Sequence, residues 1–222
     1  YKDTETGIFA IGELSRNEVD PTPTPTPSGD CDIYTDTQYI YDEEVCNAIE
    51  WATSEGIFEG YADGSFGPYN EINRAEVLKV LFESMDNATV LPLDGTNQGF
   101  SDLSPYAWYM PYVRTAKFYG MLDGYPDGEA KLYDNINRVE ILKLALEAAE
   151  AFQGYNVPNA SYSSYVDVDM NDWFVDYANV AFSYILLDDY NLGSGWYLSP
   201  SSAVTRSEVA LLLYRMNHYG II

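Results

Sequence analysis

Three arginines recur in the same short phrase: Ile72-Asn73-Arg74-Ala75-Glu76, Ile136-Asn137-Arg138-Val139-Glu140 and Val204-Thr205-Arg206-Ser207-Glu208. The steps between them are 64 and 68 residues. A guanidinium offers a planar fork of N–H donors that matches a carboxylate or another oxyanion. Each stands where a first helical turn is expected, and there the macrodipole disfavours a cation. Keeping Arg in three copies therefore points to an anionic partner. Two partners fit: an acidic ligand, or an internal carboxylate such as Asp36, Asp102 or Asp167. Upstream of each arginine runs a second phrase, Gly56-Ile-Phe-Glu-Gly60-Tyr61, Gly120-Met-Leu-Asp-Gly124-Tyr125 and Ile185-Leu-Leu-Asp-Asp-Tyr190. Gly60-Tyr61 and Gly124-Tyr125 open loops that either supply backbone N–H groups to a ligand or simply turn the chain. The 21 tyrosines and four tryptophans offer flat faces for sugar rings, although most aromatics at helical spacing are core.

Other chemistry finds little to work with. His218 is the sole histidine, so no Ser-His-Asp or Cys-His arrangement can be assembled, and no Cys/His zinc spacing occurs. Asp167-Val-Asp169-Met-Asn171 imitates the start of a calcium loop, but Asp172 and Ala178 stand where Gly and a bidentate Glu are needed. No pair of carboxylates is marked out for glycoside hydrolysis. The expectation is a binding module, not an enzyme, with no cofactor, and with loose calcium binding by surface carboxylates left open.

The elements that hold these residues follow from the repeat, which sets the architecture. Asn73, Asn137 and Thr205 read as N-caps, with Glu76, Glu140 and Glu208 completing capping boxes. Apolar residues at helical spacing follow, such as Val77, Leu78, Leu81 and Phe82 in repeat one. A first helix is expected in each repeat over 42–55, 106–119 and 172–184, after an aromatic-x-Asp phrase ending in Asp36, Asp102 or Asp167. Trp108 and Trp173 share a column near the head of that helix, and Glu44 fills it in repeat one. Two helices cannot bury an apolar face alone, but three hairpins about a common axis can. The expected fold is all-α, three helix-loop-helix repeats in a pseudo-threefold spindle, spanning 31–90, 91–155 and 156–222. Residues 1–20 read as a strand-like tail of a preceding β domain, and 21–30 as a Pro/Thr linker of polyproline II character. The chain opens on Tyr1 with no signal-peptide pattern, which reads as part of a longer or processed protein.

Composition narrows the partners. With 11 basic and 35 acidic side chains the formal charge is −24, which argues against nucleic acid and anionic lipid. It fits a salty or calcium-rich surface, or simply solubility. No stretch approaches the ~18 apolar residues of a membrane span. Cys31 and Cys46 would close a 16-residue loop, and a bridge there would contribute roughly 3 kcal/mol in the loop-entropy model. The neighbouring Pro-Thr tract favours that oxidised, extracellular reading over two free thiols.

Taken together, the aromatic-x-Asp phrase, the Trp column, Gly56-Ile57-Phe58-Glu59-Gly60-Tyr61-Ala62-Asp63-Gly64-Ser65-Phe66-Gly67-Pro68 and Ile72-Asn-Arg-Ala-Glu76 are similar to the S-layer homology repeat. The likeness covers about 34–217. It implies a three-pronged helical spindle that attaches surface proteins non-covalently to the cell envelope. The implied ligand is a secondary cell-wall polysaccharide, often pyruvylated, held in grooves between repeats. The implied site residues are Arg74, Arg138 and Arg206, with Gly60, Tyr61, Gly124, Tyr125, Trp108 and Trp173. The alternative is a packing module with lattice neighbours, with or without calcium. Glu44, standing where Trp belongs, removes a platform and adds a repelling charge. Repeat three has Asp189 for Gly and three extra loop residues, 16 against 13, so unequal grooves are expected.

Overall fold

The computed structural model describes residues 31–222; the strand-like tail and the Pro/Thr linker lie outside the described residues. Six helices carry the fold: α1 (Glu43–Ser54), α2 (Arg74–Glu83), α3 (Met110–Phe118), α4 (Arg138–Gln153), α5 (Val175–Tyr184) and α6 (Arg206–His218). A small antiparallel hairpin, β1 (Tyr190–Asn191) with β2 (Trp196–Tyr197), replaces the glycine loop in repeat three. The fold is thus all-α with one two-stranded insert, and the extra loop residues of repeat three build that insert.

The second helix of each repeat begins at its capping box. Asn73, Asn137 and Thr205 accept from the amides of Glu76, Glu140 and Glu208, and those glutamates accept from the cap amides in return. Among the first helices α1 matches the expected 42–55, while α3 and α5 start late. α3 starts at Met110 rather than Tyr106, because Pro111 has no N–H to give to a carbonyl one turn back and therefore belongs in the first turn. α5 starts at Val175, after a turn in which Asp169 and Asp172 exchange backbone and side-chain bonds. Trp108 and Trp173 consequently stand in the turns just before their helices.

The helices pack across repeats. α3 lies on α2, α5 on α4 and α1 on α6, with α2 against α4. Each first helix therefore covers the second helix of the preceding repeat, and the last repeat closes on the first. The axis is sealed by a triangle of backbone bonds: Ile72 N donates to Val204 O, Val204 N to Ile136 O, and Ile136 N to Ile72 O. Ile72, Ile136 and Val204 are completely buried there. The seam between α1 and α6 is reinforced by Arg215, whose guanidinium holds Glu44 with two bonds of 2.9 and 2.6 Å and Asp188 with one of 2.9 Å. Cys31 and Cys46 are joined as a disulfide, tying the start of repeat one to α1.

Candidate functional site

Each arginine leaves the helix that carries it and enters the loop of the next repeat round the ring. Arg206 is 7% exposed, and its Nε and Nη2 donate to the carbonyls of Phe66 (2.8 Å) and Glu59 (3.0 Å). Its guanidinium lies 4.8 to 5.0 Å from the ring centres of Phe58, Tyr61 and Phe66. Arg74 donates from Nε to Ala130 O and pairs with Glu140 at 3.1 Å, over the ring of Tyr125. Arg138 is 2% exposed; it pairs with Glu208 at 3.2 Å and donates to Asp188 O. Its Nε has no hydrogen-bond partner. The column that supplies Phe66 O and Ala130 O holds Leu198 in repeat three, which follows the hairpin insert directly.

The aspartates named as internal partners for the arginines do other work. Asp36 accepts from the amides of Phe66 and Gly67, Asp102 from Ala130 and Lys131, and Asp167 from Leu198 and Ser199, all at 2.7 to 2.9 Å. They clamp the loops from below, and the carboxylates that meet Arg74 and Arg138 are the capping-box glutamates of neighbouring repeats. The helix N-termini are likewise spent. The amides of Arg74 and Ala75 donate to Asp134 O and Leu132 O, and those of Arg206 and Ser207 to Asn70 O and Pro68 O. Among the described residues the N-termini beside these arginines are therefore not left open to an anion, and side chains must supply recognition there.

Two grooves result. The first brings Arg74, Gly124, Tyr125 and Trp173 together with Lys143, Asp123 and Glu140, around a cavity of about 420 Å³. The second brings Arg206, Gly60 and Trp108 together with Lys79, Glu59 and Glu76, around about 320 Å³. Tyr61 serves the second as a ring against the guanidinium of Arg206. Trp108 and Trp173 are 52% and 58% exposed, so each keeps a free face. Gly60 and Gly124 are required by packing: a Cβ would come within 2.2 Å of the Tyr34 ring and 2.4 Å of the Phe100 ring. Among the described residues, neither glycine's N–H donates to a protein acceptor.

The grooves differ in electrostatics. In the first, Lys143 pairs with Glu147 at 2.9 Å and Asp123 at 3.9 Å, and Arg74 with Glu140. Burial, then the 2.7 Å bond to Glu140, pushes the Tyr125 phenol up. In the second, among the described residues, neither Arg206 nor Lys79 has a carboxylate within ion-pair distance. The glutamate next in line, Glu83, is engaged by Tyr112, whose phenol is raised to about 12 by burial and by that bond. The third position keeps a cavity of about 460 Å³, lined by Asp42, Asp188, Glu208 and Leu211 among others, but no cation lines it. Leu211 replaces the lysine, Arg138 is sealed inside, and Glu44 is paired with Arg215 at 2.6 Å. Its hydrogen bonds to Arg215 hold its carboxyl below the usual range.

Lys79 and Lys143 escaped the reading of the sequence. They share a column five residues after Arg74 and Arg138, but look like ordinary solvent-facing helix positions until the next loop is folded over them. Among the described residues no group of three or more acidic, His or Cys side chains converges to hold a metal ion, and no helix is long and apolar enough to cross a membrane.

Residues 33–78 match the S-layer homology domain family. A cellulosome-anchoring protein of Acetivibrio thermocellus is 28% identical over 57% of this chain and 27% of its own length. The exoglucanase XynX of the same organism is 27% identical over 79% of this chain but 16% of its own length. A surface-layer 125 kDa protein of Lysinibacillus sphaericus is 24% identical over 76% of this chain and 14% of its own. The chain thus corresponds to a minor part of each of these relatives.

Proposed function

We propose that this chain, whose residues 33–78 match the S-layer homology domain family and which resembles a cellulosome-anchoring protein and a surface-layer protein, is a non-catalytic envelope anchor holding an acidic secondary cell-wall polysaccharide, pyruvylated or otherwise acid-bearing, in the groove of Arg206, Lys79 and Trp108. The three repeats, bounded near 31–90, 91–155 and 156–222, act as one unit, since each groove takes its parts from more than one of them.

The observation that carries this reading is the pair of cations that, among the described residues, have no ion-pair partner, beside a half-exposed indole. An acid group arriving at Arg206 and Lys79 displaces no carboxylate of the described residues. In the Arg74 groove it would have to compete with Glu140, Glu147 and Asp123. Releasing an existing pair offsets most of the gain from forming a new one, so the second groove binds more tightly. The free N–H of Gly60 adds a backbone donor, and Trp108 adds a flat apolar face for the sugar ring. At −24 the whole chain repels a polyanion at long range, so association should be faster at moderate salt, in the range where the screening length is about 8–10 Å.

The test is co-sedimentation with purified wall sacculi, native against stripped of their secondary polymer. The intact chain should pellet only with native walls. Lys79→Ala should weaken binding about tenfold, equivalent to ~1.4 kcal/mol, with unchanged thermal stability; Lys143→Ala should change it less than about threefold. Equal binding to stripped walls, or a larger loss from Lys143→Ala than from Lys79→Ala, would overturn the assignment.

A further inference from the structure

Any pull on residues 1–30 enters the described fold at Cys31, and Cys31 is joined to Cys46. Cys46 lies in the first turn of α1, and the two Cα atoms are 5.6 Å apart across a sequence separation of 15. The chain between them is therefore a side loop that carries no tension while the bridge holds. That side loop contains contacts that shape the Arg206 groove. Thr35 N donates to Gly64 O, and the Asp36 carboxylate holds the amides of Phe66 and Gly67. The Tyr34 ring packs against Phe66 at 5.4 Å and against Gly60. Phe66 O in turn accepts from Arg206.

Without the bridge, tension would run from Cys31 along this stretch. Tyr34, Thr35 and Asp36 would each bear the load alone and be stripped in turn, as in opening a zipper, before α1 was loaded. With the bridge, the load reaches α1 directly. α1 lies on α6 and runs the same way: Val45 lines one cavity with Leu211, the Trp51 ring meets Tyr214 at 5.9 Å, and Glu55 lines another cavity with Asn217. Glu44, two residues before Cys46, is held by Arg215 at 2.6 Å. Parting α1 from α6 displaces these contacts together, and forced unfolding is governed by that barrier and not by the equilibrium stability. We propose that the Cys31–Cys46 bridge is a mechanical bypass. It passes a load from the upstream chain into the α1–α6 seam and keeps the Asp36 clamp, and with it the Arg206 groove, out of the line of force. This rests on the envelope-anchor reading only for the source of the load; the route of the force through the fold depends on no ligand.

The test is single-molecule pulling on the intact chain by handles at Tyr1 and Ile222. The bridged chain is compared with Cys31→Ser/Cys46→Ser and with the native chain reduced after folding. The bridged chain should show no stepwise event before the seam parts. Both unbridged forms should show an early event at lower force that releases about 50 Å, the contour of the freed stretch less its starting separation. An early event of that length in the bridged chain, or none in the unbridged forms, refutes the bypass. A second measurement separates force routing from plain stabilisation: chains held on native wall sacculi are pulled from Tyr1 or from Ile222. Loss of the bridge should shorten the attachment lifetime at least about tenfold when the load enters at Tyr1, and less than about threefold when it enters at Ile222. Equal shortening from both ends would mean that the bridge only adds stability, and overturns the proposal. Failure to attach to the walls counts against the anchor reading instead, and the pull between the two handles then decides on the bypass.

Discussion

Replacing Asp36 by alanine tests the loop clamp that all three repeats share. Its carboxylate accepts from the amides of Phe66 and Gly67 at 2.7 and 2.8 Å. The carbonyl of that same Phe66 accepts from Arg206 Nε at 2.8 Å, so a single residue links the clamp to the groove's arginine. Hydrogen bonds to a charged acceptor contribute about 1.5–3 kcal/mol each, and a buried amide left without a partner adds its own penalty. Asp36 is only half-buried, so water can reach one side, and the low end applies: a loss of about 3 kcal/mol in all. For a unit of this size that corresponds to a fall in Tm of about 6–12 °C. Asp36→Asn should fall between, since its amide oxygen serves one N–H while its NH2 faces the other. Denaturant and thermal unfolding of both variants, with wall sedimentation of the folded fraction, measure the effect. A loss under about 1 kcal/mol for Asp36→Ala would show that the clamp does not hold the loop, and the parallel roles of Asp102 and Asp167 would fall with it.

Further outcomes follow from single contacts. Gly60→Ala sets a Cβ 2.2 Å from the Tyr34 ring and 3.0 Å from Ser65 O; it should cost about 1–3 kcal/mol as overpacking, read as a drop in the denaturation midpoint. Glu44 has its carboxyl lowered from 4.5, first by hydrogen bonding to Arg215. Its contribution is therefore complete above the ordinary glutamate range and is lost as pH falls through the lowered value; Glu44→Gln should lower stability modestly at neutral pH, by under about 1 kcal/mol for a half-exposed pair, and the difference from the native chain should vanish in acid. Reducing the Cys31–Cys46 bridge, which closes a 16-residue loop, should lower stability by roughly 3 kcal/mol, seen by repeating the melt with and without reductant.

Much of this architecture was legible in the sequence because its signals are local. Capping boxes span four residues, and the helical spacing of apolar side chains lies within one element. Asn73, Asn137 and Thr205 could be placed without any tertiary knowledge. The partners of the arginines could not. Arg206 meets Phe66 and Glu59, 140 and 147 residues away, and nothing in the period tells which repeat's loop folds over which helix. Aspartates recurring at the start of each repeat invited an ion pair with the arginines; the loops' unpaired amides, invisible in sequence, claimed them first. The pairing of Glu44 is hidden for the same reason: its partner Arg215 lies 171 residues along. Pro111 did carry a local signal for the late start of α3, and the expected helix overran it by placing the proline in a helix interior.

The triangle of Ile72, Ile136 and Val204 makes copy number a structural constant. In an open stack a terminal unit can be gained or lost at the expense of one interface. Here every unit has two neighbours, and deleting any one would strip two interfaces and leave backbone groups at the axis without partners. A fourth unit would have to widen the ring beyond the reach of its single bonds. Repeat three can therefore lack the lysine and glycine loop of a groove of its own, so long as Val204, the Asp167 clamp, and the Arg206 and Trp173 that serve the other two grooves persist. It is retained as the keystone that keeps the other two grooves in register.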